Sequence, residues 1–314
     1  MAVRASIVIP AYNAAAYLEK AVSSALAQTE QNIEIIIVDD RSTDNTRDIA
    51  SRFQVYDARV RTVFLSENHG MSYALNRAIE AAQGEWIAVL DADDWYDPSR
   101  IKKLLDAANV ACVDVVVDNQ VFFDGKASKK VGTAFRRDGH DEVITLNGFL
   151  RHTDPTAFFD YSRLKPVFKA SFIREHTIKY REDCRRGVDY LILFDYFMAG
   201  GKGIIVDDPL YYYLQPFGSV SKQWMQPERE PYPFAHMKQF NDLYIKEYGS
   251  RLTADQLKAL VRRGQGIDAL ARLEQLKETI IAKDPAGAIK LLLTPCMIFW
   301  KLLVKRVFVR LVSE

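Results

Sequence analysis

The sequence predicts an α/β protein: a doubly wound, mainly parallel sheet with helices on both faces, followed by a C-terminal helical extension. Two observations point there. Over about the first 120 residues, short apolar runs alternate with segments whose apolar residues recur at helical spacing. The runs are apolar throughout instead of at every second residue, as in parallel strands buried on both faces.

The elements follow in order. Ser6–Ile9 is an apolar run ending at Pro10, and Leu18, Ala21, Val22, Ala25 and Leu26 then fall on one helical face. Ile33–Val38 is a second strand, and Asn45–Phe53 a helix behind the turn-rich Ser42-Thr43-Asp44. Val60–Leu65, Met71–Ala82 and Trp86–Leu90 read as strand, helix and strand. Beyond Asn119 the pattern loosens: Val167–Ala170, Ile204–Val206 and Leu210–Leu214 read as strands and Asp189–Met198 as a helix. From Glu228 the chain is predicted helical. Thr253–Gln256 is a capping-box signature opening a long charged helix that Gly264 and Gly266 are expected to weaken. The expected division is an α/β domain over 1–225, made of a regular part in 1–110 and a less regular part in 111–225, and a helical extension over 226–314.

Bulk properties narrow the function. With 48% hydrophobic and 26% charged residues the chain can bury a sizeable core. A formal net charge of +1 supplies no field for nucleic acid, and none is expected as a partner. Cys112, Cys184 and Cys296 are too few and too scattered for a disulfide framework or a metal knuckle. The opening MAVRASIVIP is broken by Pro10 and Tyr12, unlike a signal peptide, and no run of about 18 apolar residues exists to span a bilayer. A cytoplasmic location is the expectation.

In an open α/β sheet the ligand lies beyond the carboxyl ends of the strands. Pro10-Ala11-Tyr12-Asn13, Asp39-Asp40 and Asp91-Ala92-Asp93-Asp94 follow the first, second and fourth strands. Asp91 and Asp93 project the same way if the segment leaves the strand extended. Two such carboxylates suit Mg²⁺ or Mn²⁺, which take the rest of their shell from water and phosphate. Alternatively Asp93 or Asp94 caps the helix entered through Pro98. Asp39-Asp40 either accepts from a pyrimidine N–H or caps the next helix, and Tyr12 either stacks on a base or packs. GxGxxG is absent after the first strand, which argues against a dinucleotide site.

Four ordered segments, IVIPAYNAAAYLEKAVSSALAQT, IIIVDDRSTDNT, NHGMSYALNRAI and GEWIAVLDADDWYDP, resemble the large family 2 of inverting glycosyltransferases. The resemblance extends over roughly residues 4–222 and implies the GT-A fold and a nucleotide-sugar donor. It places Pro10, Tyr12, Asn13, Asp40, Asn68, Gly70, Asn76, Asp91 and Ala92 in the donor-binding motifs. By that likeness Tyr12 and Asp40 contact the uracil of a UDP-sugar, Asp91 approaches the ribose, and Asp93 holds the metal on the diphosphate. Asn68, Gly70 and Asn76 frame the donor pocket. Tyr180–Ser221 resembles the family's acceptor-side segment, in which a Glu-Asp pair opens a helix and supplies the base. Here the pair is Val188-Asp189, so the base is expected at Asp189, with a helix cap as its alternative role and Asp183 as a competitor. Tyr211-Tyr212-Tyr213 and Trp224 are aromatic faces for sugars or for packing, and Ser219 and Ser221 match a segment near the donor phosphates.

The likeness extends to bacterial exopolysaccharide glucosyltransferases of the succinoglycan type. It implies transfer of a sugar, glucose first, to a saccharide or lipid-linked acceptor. Ala286–Val312 combines Leu, Ile, Phe299 and Trp300 with Lys290, Lys301, Lys305, Arg306 and Arg310. Such a segment either lies at the anionic cytoplasmic face of the inner membrane or docks on the protein. Two other readings compete. A nucleotidyltransferase also uses an acidic α/β site but starts with a glycine-rich basic loop, which Pro10-Ala11-Tyr12-Asn13 is not. A donor-binding scaffold without full activity is motivated by Val188.

Overall fold

The computed structural model describes residues 2–135, 139–157, 160–184, 187–215, 234–293 and 296–303. Two compact units result: Met1–Leu146 with Ser162–Pro227, and Asn147–Tyr161 with Glu228–Glu314.

The first unit is built on β1 (Ala5–Ala11), α1 (Leu18–Leu26), β2 (Ile33–Asp39), α2 (Thr46–Tyr56), β3 (Val60–Phe64), α3 (Met71–Ala81) and β4 (Trp86–Val89). It continues through β5 (Trp95–Tyr96), α4 (Arg100–Ala111), β6 (Val115–Asp124), β7 (Lys129–Thr133) and β8 (Glu142–Ile144). After α5 (Leu146–Arg151), nearly all of which lies in the second unit, come β9 (Val167–Lys169), α6 (Ala170–Glu175), α7 (Val188–Met198) and β10 (Gly203–Gln215). The strands make one sheet in the order β3-β2-β1-β4-β9-β6-β10-β5, with β7 added to β6 and β8 to β10. Pairing of β1 with β2 and β4, of β2 with β3 and of β6 with β10 is parallel; β9 runs antiparallel between β4 and β6.

The apolar runs explain the layers. Every residue of β1, β2 and β4 is buried. Ile7, Ile9, Ile35 and Ile37 share a core with Leu18, Ala21, Val22 and Ala25 of α1, Ile49 of α2 and Leu104 of α4. Val8, Ile36 and Val38 alternate with them and point to the opposite face, where α3 lies against β1 and β2. An alternating strand would have left one face wet, so helical cover on both sides follows from the composition of the runs.

The structure differs from the sequence reading at several points. β1 passes through Pro10, paired opposite Val38, and ends at Ala11. The two strands expected at Ile204–Val206 and Leu210–Leu214 are one strand, β10, whose register against β6 shifts between Val206 and Tyr211. Pro209, which has no N–H for the ladder, sits at that irregularity. β6, the long partner of β10, went unread because Val115–Val117 gives way to Asp118-Asn119-Gln120, and those polar residues are nonetheless buried.

In the second unit the helices Phe234–Tyr248, Ala254–Ile281 and Pro285–Leu292 precede a helical segment at 297–303. The capping box forms: Thr253 N–H donates to Gln256 Oε1 at 2.8 Å, and Gln256 N–H donates to Thr253 Oγ1 at 3.3 Å. Gly264 and Gly266 do not interrupt this 28-residue helix. They are close-approach positions: a Cβ on Gly264 would lie 2.9 Å from Asn241 Nδ2, and one on Gly266 3.1 Å from Pro155 Cγ. This packing, with an Arg263 Nη1–H bond to the Thr153 carbonyl at 3.1 Å, draws Asn147–Tyr161 into the helical unit, away from the less regular part of the α/β domain that the linear reading assigned it to. Leu291, Leu292, Ile298, Leu302 and Leu303 pack around Ala269, Leu273, Leu276 and Phe299. Ile289, Leu293 and Met297 remain exposed. Among the described residues no helix is long and apolar enough to cross a membrane.

Candidate active site

The three acidic or polar segments gather at the carboxyl ends of β1, β2 and β4. Tyr12, just past β1, is 39% exposed, and its ring is open to a ligand. Asn13 has φ +49° and ties this end to the next loop: its Oδ1 accepts from Thr43 N–H at 2.8 Å, and its own N–H donates to Ser42 Oγ at 2.9 Å. Asp40 does not cap the helix that follows it. Its carboxylate accepts from His69 N–H at 2.8 Å and Gly70 N–H at 2.7 Å, while Asn68 Nδ2 donates to the Asp40 carbonyl at 3.0 Å. Gly70, at φ +91°, is the residue preceding α3. Asn76 lies on α3 and bonds to the segment that precedes α7. Its Nδ2 donates to the Tyr180 carbonyl and to Glu182 Oε1, and its Oδ1 accepts from Tyr180 N–H, so the amide clamps the chain leading to α7.

The Asp91–Asp94 segment is a turn, not an extended exit from the strand. Asp94 N–H donates to the Asp91 carbonyl at 3.1 Å, and carboxylate oxygens of Asp91, Asp93 and Asp94 come within 4.8 Å of one another. Asp94 is not a helix cap. It is buried against β10, accepting from the Tyr211 hydroxyl at 2.7 Å and from Leu214 N–H at 2.8 Å. Burial, reinforced by Asp93 and Asp91, holds its carboxyl well above the usual range. The same Tyr211 oxygen accepts from Asp91 N–H at 3.2 Å. Tyr211 is therefore a fully buried brace of the turn instead of a sugar platform. Ala92 is buried within the turn, and Asp93 is half-exposed at it.

Three carboxylates in one turn are a hard-oxygen donor set that fits Mg²⁺ or Mn²⁺. They are not equivalent. Asp94 is spent on Tyr211 and Leu214, and Asp91 Oδ2 lies 2.8 Å from the Lys165 ammonium. Asp91 Oδ1 is buried and has no hydrogen-bond partner among the described residues.

Lys165 is the residue that sequence reasoning missed. It precedes Pro166 and β9, and that antiparallel strand beside β4 sets it against the acidic turn. Its side chain is 6% exposed, and Nζ lies 2.8 Å from Asp91 Oδ2 and 2.9 Å from Asp189 Oδ2. Burial works against its charge, but Asp189 and Asp91 outweigh it and hold the ammonium above the ordinary lysine range. No local signal marks it out: Arg163 lies two residues earlier, and a buried lysine is recognised by the carboxylate partners that only the fold supplies.

Asp189 sits in the first turn of α7, whose N-cap is Gly187 at φ +72°, so its side chain is not the cap. Burial raises its carboxyl above the usual range; Lys165 lowers it and Asp91 raises it again. Asp189 Oδ1 is buried without a partner among the described residues. Asp183, the competing base, is 60% exposed and bonded to the Arg181 guanidinium at 2.8 Å, a pairing that holds its carboxyl low. Val188 is 2% exposed in the core. Ser219, Ser221 and Trp224 lie outside the described residues.

Behind the site, Arg100 and Asp118 form an ion pair with both side chains at 0% exposure, 2.7 Å from Nη2 to Oδ1. The same Nη2 donates to the Lys165 carbonyl at 2.9 Å.

Comparison with known proteins bears on this geometry. The profile of Glycosyl transferase family 2 matches residues 6–165. The chain is 29% identical to the succinoglycan biosynthesis protein ExoO of Rhizobium meliloti over 91% of this chain and 80% of that protein. It is 30% identical to glycosyltransferase GlyG of Streptococcus pneumoniae over 69% and 72%. Among solved structures it is similar to S. aureus TarS in complex with UDP-GlcNAc, at 16% identity and TM-score 0.58 over 92% of this chain and 90% of that one. It is also similar to the mannosyltransferase PcManGT of Pyrobaculum calidifontis in complex with GDP-Man and Mn²⁺, at 17% identity and TM-score 0.57 over 97% and 86%. The doubly wound sheet matches the fold of these GT-A structures, and the chain belongs to glycosyl transferase family 2.

Proposed function

We propose that the protein transfers glucose from a UDP-sugar to a lipid-linked saccharide acceptor during exopolysaccharide synthesis, with inversion at the anomeric carbon. One observation carries the reading: Asp189 and the Asp91–Asp94 turn, 95 or more residues apart in the chain, meet on one buried ammonium. The names of the relatives supply the pathway class, and UDP-GlcNAc in TarS supports a uridine donor.

In this reading Tyr12 and Asp40 flank the base, Asp91 approaches the ribose, and Asp93 holds Mg²⁺ or Mn²⁺. The ion, when bound, neutralises charge growing on the leaving diphosphate. Asp189 Oδ1 takes the proton of the acceptor hydroxyl as that oxygen bonds to the anomeric carbon. The bond from that carbon to the diphosphate oxygen breaks, and UDP leaves with the electron pair. A single displacement turns an α-linked donor into a β-linked product. Val188 packs in the core, so base function rests on Asp189 without the usual Glu neighbour.

A panel of UDP-sugars, each with and without Mg²⁺ or Mn²⁺, tests this through UDP release and product linkage. UDP-glucose should turn over fastest, and Asp189→Asn should cut kcat by about 10²–10⁴-fold with UDP binding intact. Native turnover in that variant would remove Asp189 from the chemistry.

The exposed Ile289, Leu293 and Met297, beside Lys290 and Lys301, support contact with the anionic cytoplasmic face of the inner membrane. The full chain should co-sediment with phosphatidylglycerol vesicles, and Leu293→Ser with Met297→Ser should weaken this. Equal partitioning of the two chains would sink the anchor.

A further inference from the structure

Lys165 has no role in the transfer scheme above, yet it is the best-supported side chain in the site. Its ammonium is buried, and it contacts one oxygen from each of two carboxylates on different elements. Its backbone is fixed as well. Its carbonyl accepts from Arg100, and Arg100 is locked by bonds from Nε and Nη2 to Asp118 at 2.7 to 3.1 Å. The following carbonyl, of Pro166, accepts from Val89 N–H at the end of β4. Lys165 is thus anchored to the strand that carries the acidic turn while its side chain reaches α7.

The consequence lies in which oxygens are used. The ammonium engages Oδ2 of Asp91 and Oδ2 of Asp189. The Oδ1 atom of each carboxylate is buried and has no partner among the described residues. A buried carboxylate oxygen without a donor is costly and usually signals a missing ligand. With Oδ2 tethered, rotation of each carboxylate is blocked and Oδ1 is held in one direction. The Tyr180 hydroxyl is a third buried polar atom without a partner, and Asp189 and Lys165 are its strongest charged neighbours.

We propose that Lys165 is the positioning residue of the transfer step: it clamps Asp189 against the acidic turn, so that Oδ1 of Asp189 is presented to the acceptor hydroxyl. The clamp acts through Asp189 and touches no reacting atom. It rests on the reading of Asp189 as the base.

The test uses the full chain carrying Lys165→Met, Lys165→Arg, Asp189→Asn and the double variant K165M/D189N. Thermal unfolding and UDP calorimetry establish the fold and the donor site; acceptor-saturated kinetics give kcat. Lys165→Met also releases Asp91, so its UDP affinity is read separately by calorimetry; at saturating donor and acceptor its kcat should fall by about 100-fold, the scale of a misplaced catalytic group. The double variant should be no slower than Asp189→Asn, because both changes act through one carboxylate. Losses that multiply would mean an effect independent of Asp189 and would overturn the proposal, as would native kcat in Lys165→Met. Lys165→Arg keeps charge and fold, with a planar head of different reach, and should run about tenfold slow. Native kcat there also overturns the clamp. The two readings fail separately. If Asp189→Asn is fast, the base assignment falls; if Asp189→Asn is slow and Lys165→Met is fast, only the clamp falls.

Discussion

Replacing Arg100 by Met would leave the Asp118 carboxylate buried at 0% exposure with its cation gone. In the native chain Arg100 places Nε 3.1 Å from both Asp118 oxygens, Nη2 2.7 Å from one of them, and the same Nη2 2.9 Å from the Lys165 carbonyl. Removing one partner of a fully buried pair costs about 3–5 kcal/mol, because the remaining charge is uncompensated. At about 2–4 °C per kcal/mol for a unit of this size, Tm should fall by about 6–20 °C. Adding Asp118→Leu removes the stranded charge, and the double variant should recover most of the loss.

The pH dependence has a definite sign. Burial already raises the Asp118 carboxyl despite Arg100, and losing Arg100 raises it further. A group whose folded pKa is raised contributes stability that is present at low pH and lost as pH climbs through the folded value. The deficit of Arg100→Met should therefore be smallest near the unfolded carboxylate pKa of about 4 and widen towards neutrality. Thermal and urea unfolding by circular dichroism would measure both effects. A loss under about 1 kcal/mol, or a double variant as unstable as the single one, would refute the argument.

Three further outcomes are expected. Asp93→Ala should abolish the dependence of UDP binding on Mg²⁺ or Mn²⁺ in calorimetry, and an unchanged titration would shift the ion to Asp91. Burial places the Asp189 carboxyl above the usual range, and a base works only when charged, so kcat/KM should fall on acidification at a pH above about 4. A profile flat down to that pH would contradict a buried base. Gly264→Ala should lower Tm: its Cβ would lie 2.9 Å from Asn241 Nδ2, whose group is bonded to the Leu260 carbonyl. Overpacking of about 1–3 kcal/mol there exceeds the helix gain of about 1 kcal/mol from Ala, and a rise in Tm would show that Asn241 yields.

The sequence by itself determined the parallel sheet, its two helical layers and the edge at which the candidate site residues fall. These features follow from local pattern: runs such as Ile33–Val38 have no polar face, so both sides must be covered, and the polar residues fall where such strands end. The motif resemblance carried the chain to its family and put the expected base at Asp189, with Asp183 as a competitor. Tertiary structure decided what each polar group is spent on. Asp40 and Asn76 lie in donor motifs, yet their hydrogen bonds go to the His69–Gly70 loop and to the Tyr180–Glu182 segment. Asp94 looks equivalent to Asp93 along the chain, but only Asp94 is bonded to the Tyr211 hydroxyl and Leu214 N–H of β10. The spacing of a motif limits where a carboxylate can point, while its partner is chosen by strands that pair across long separations. Lys165 shows the limit most clearly. Nothing local distinguishes it from other lysines; β9 entering antiparallel between β4 and β6 brings it to both carboxylates.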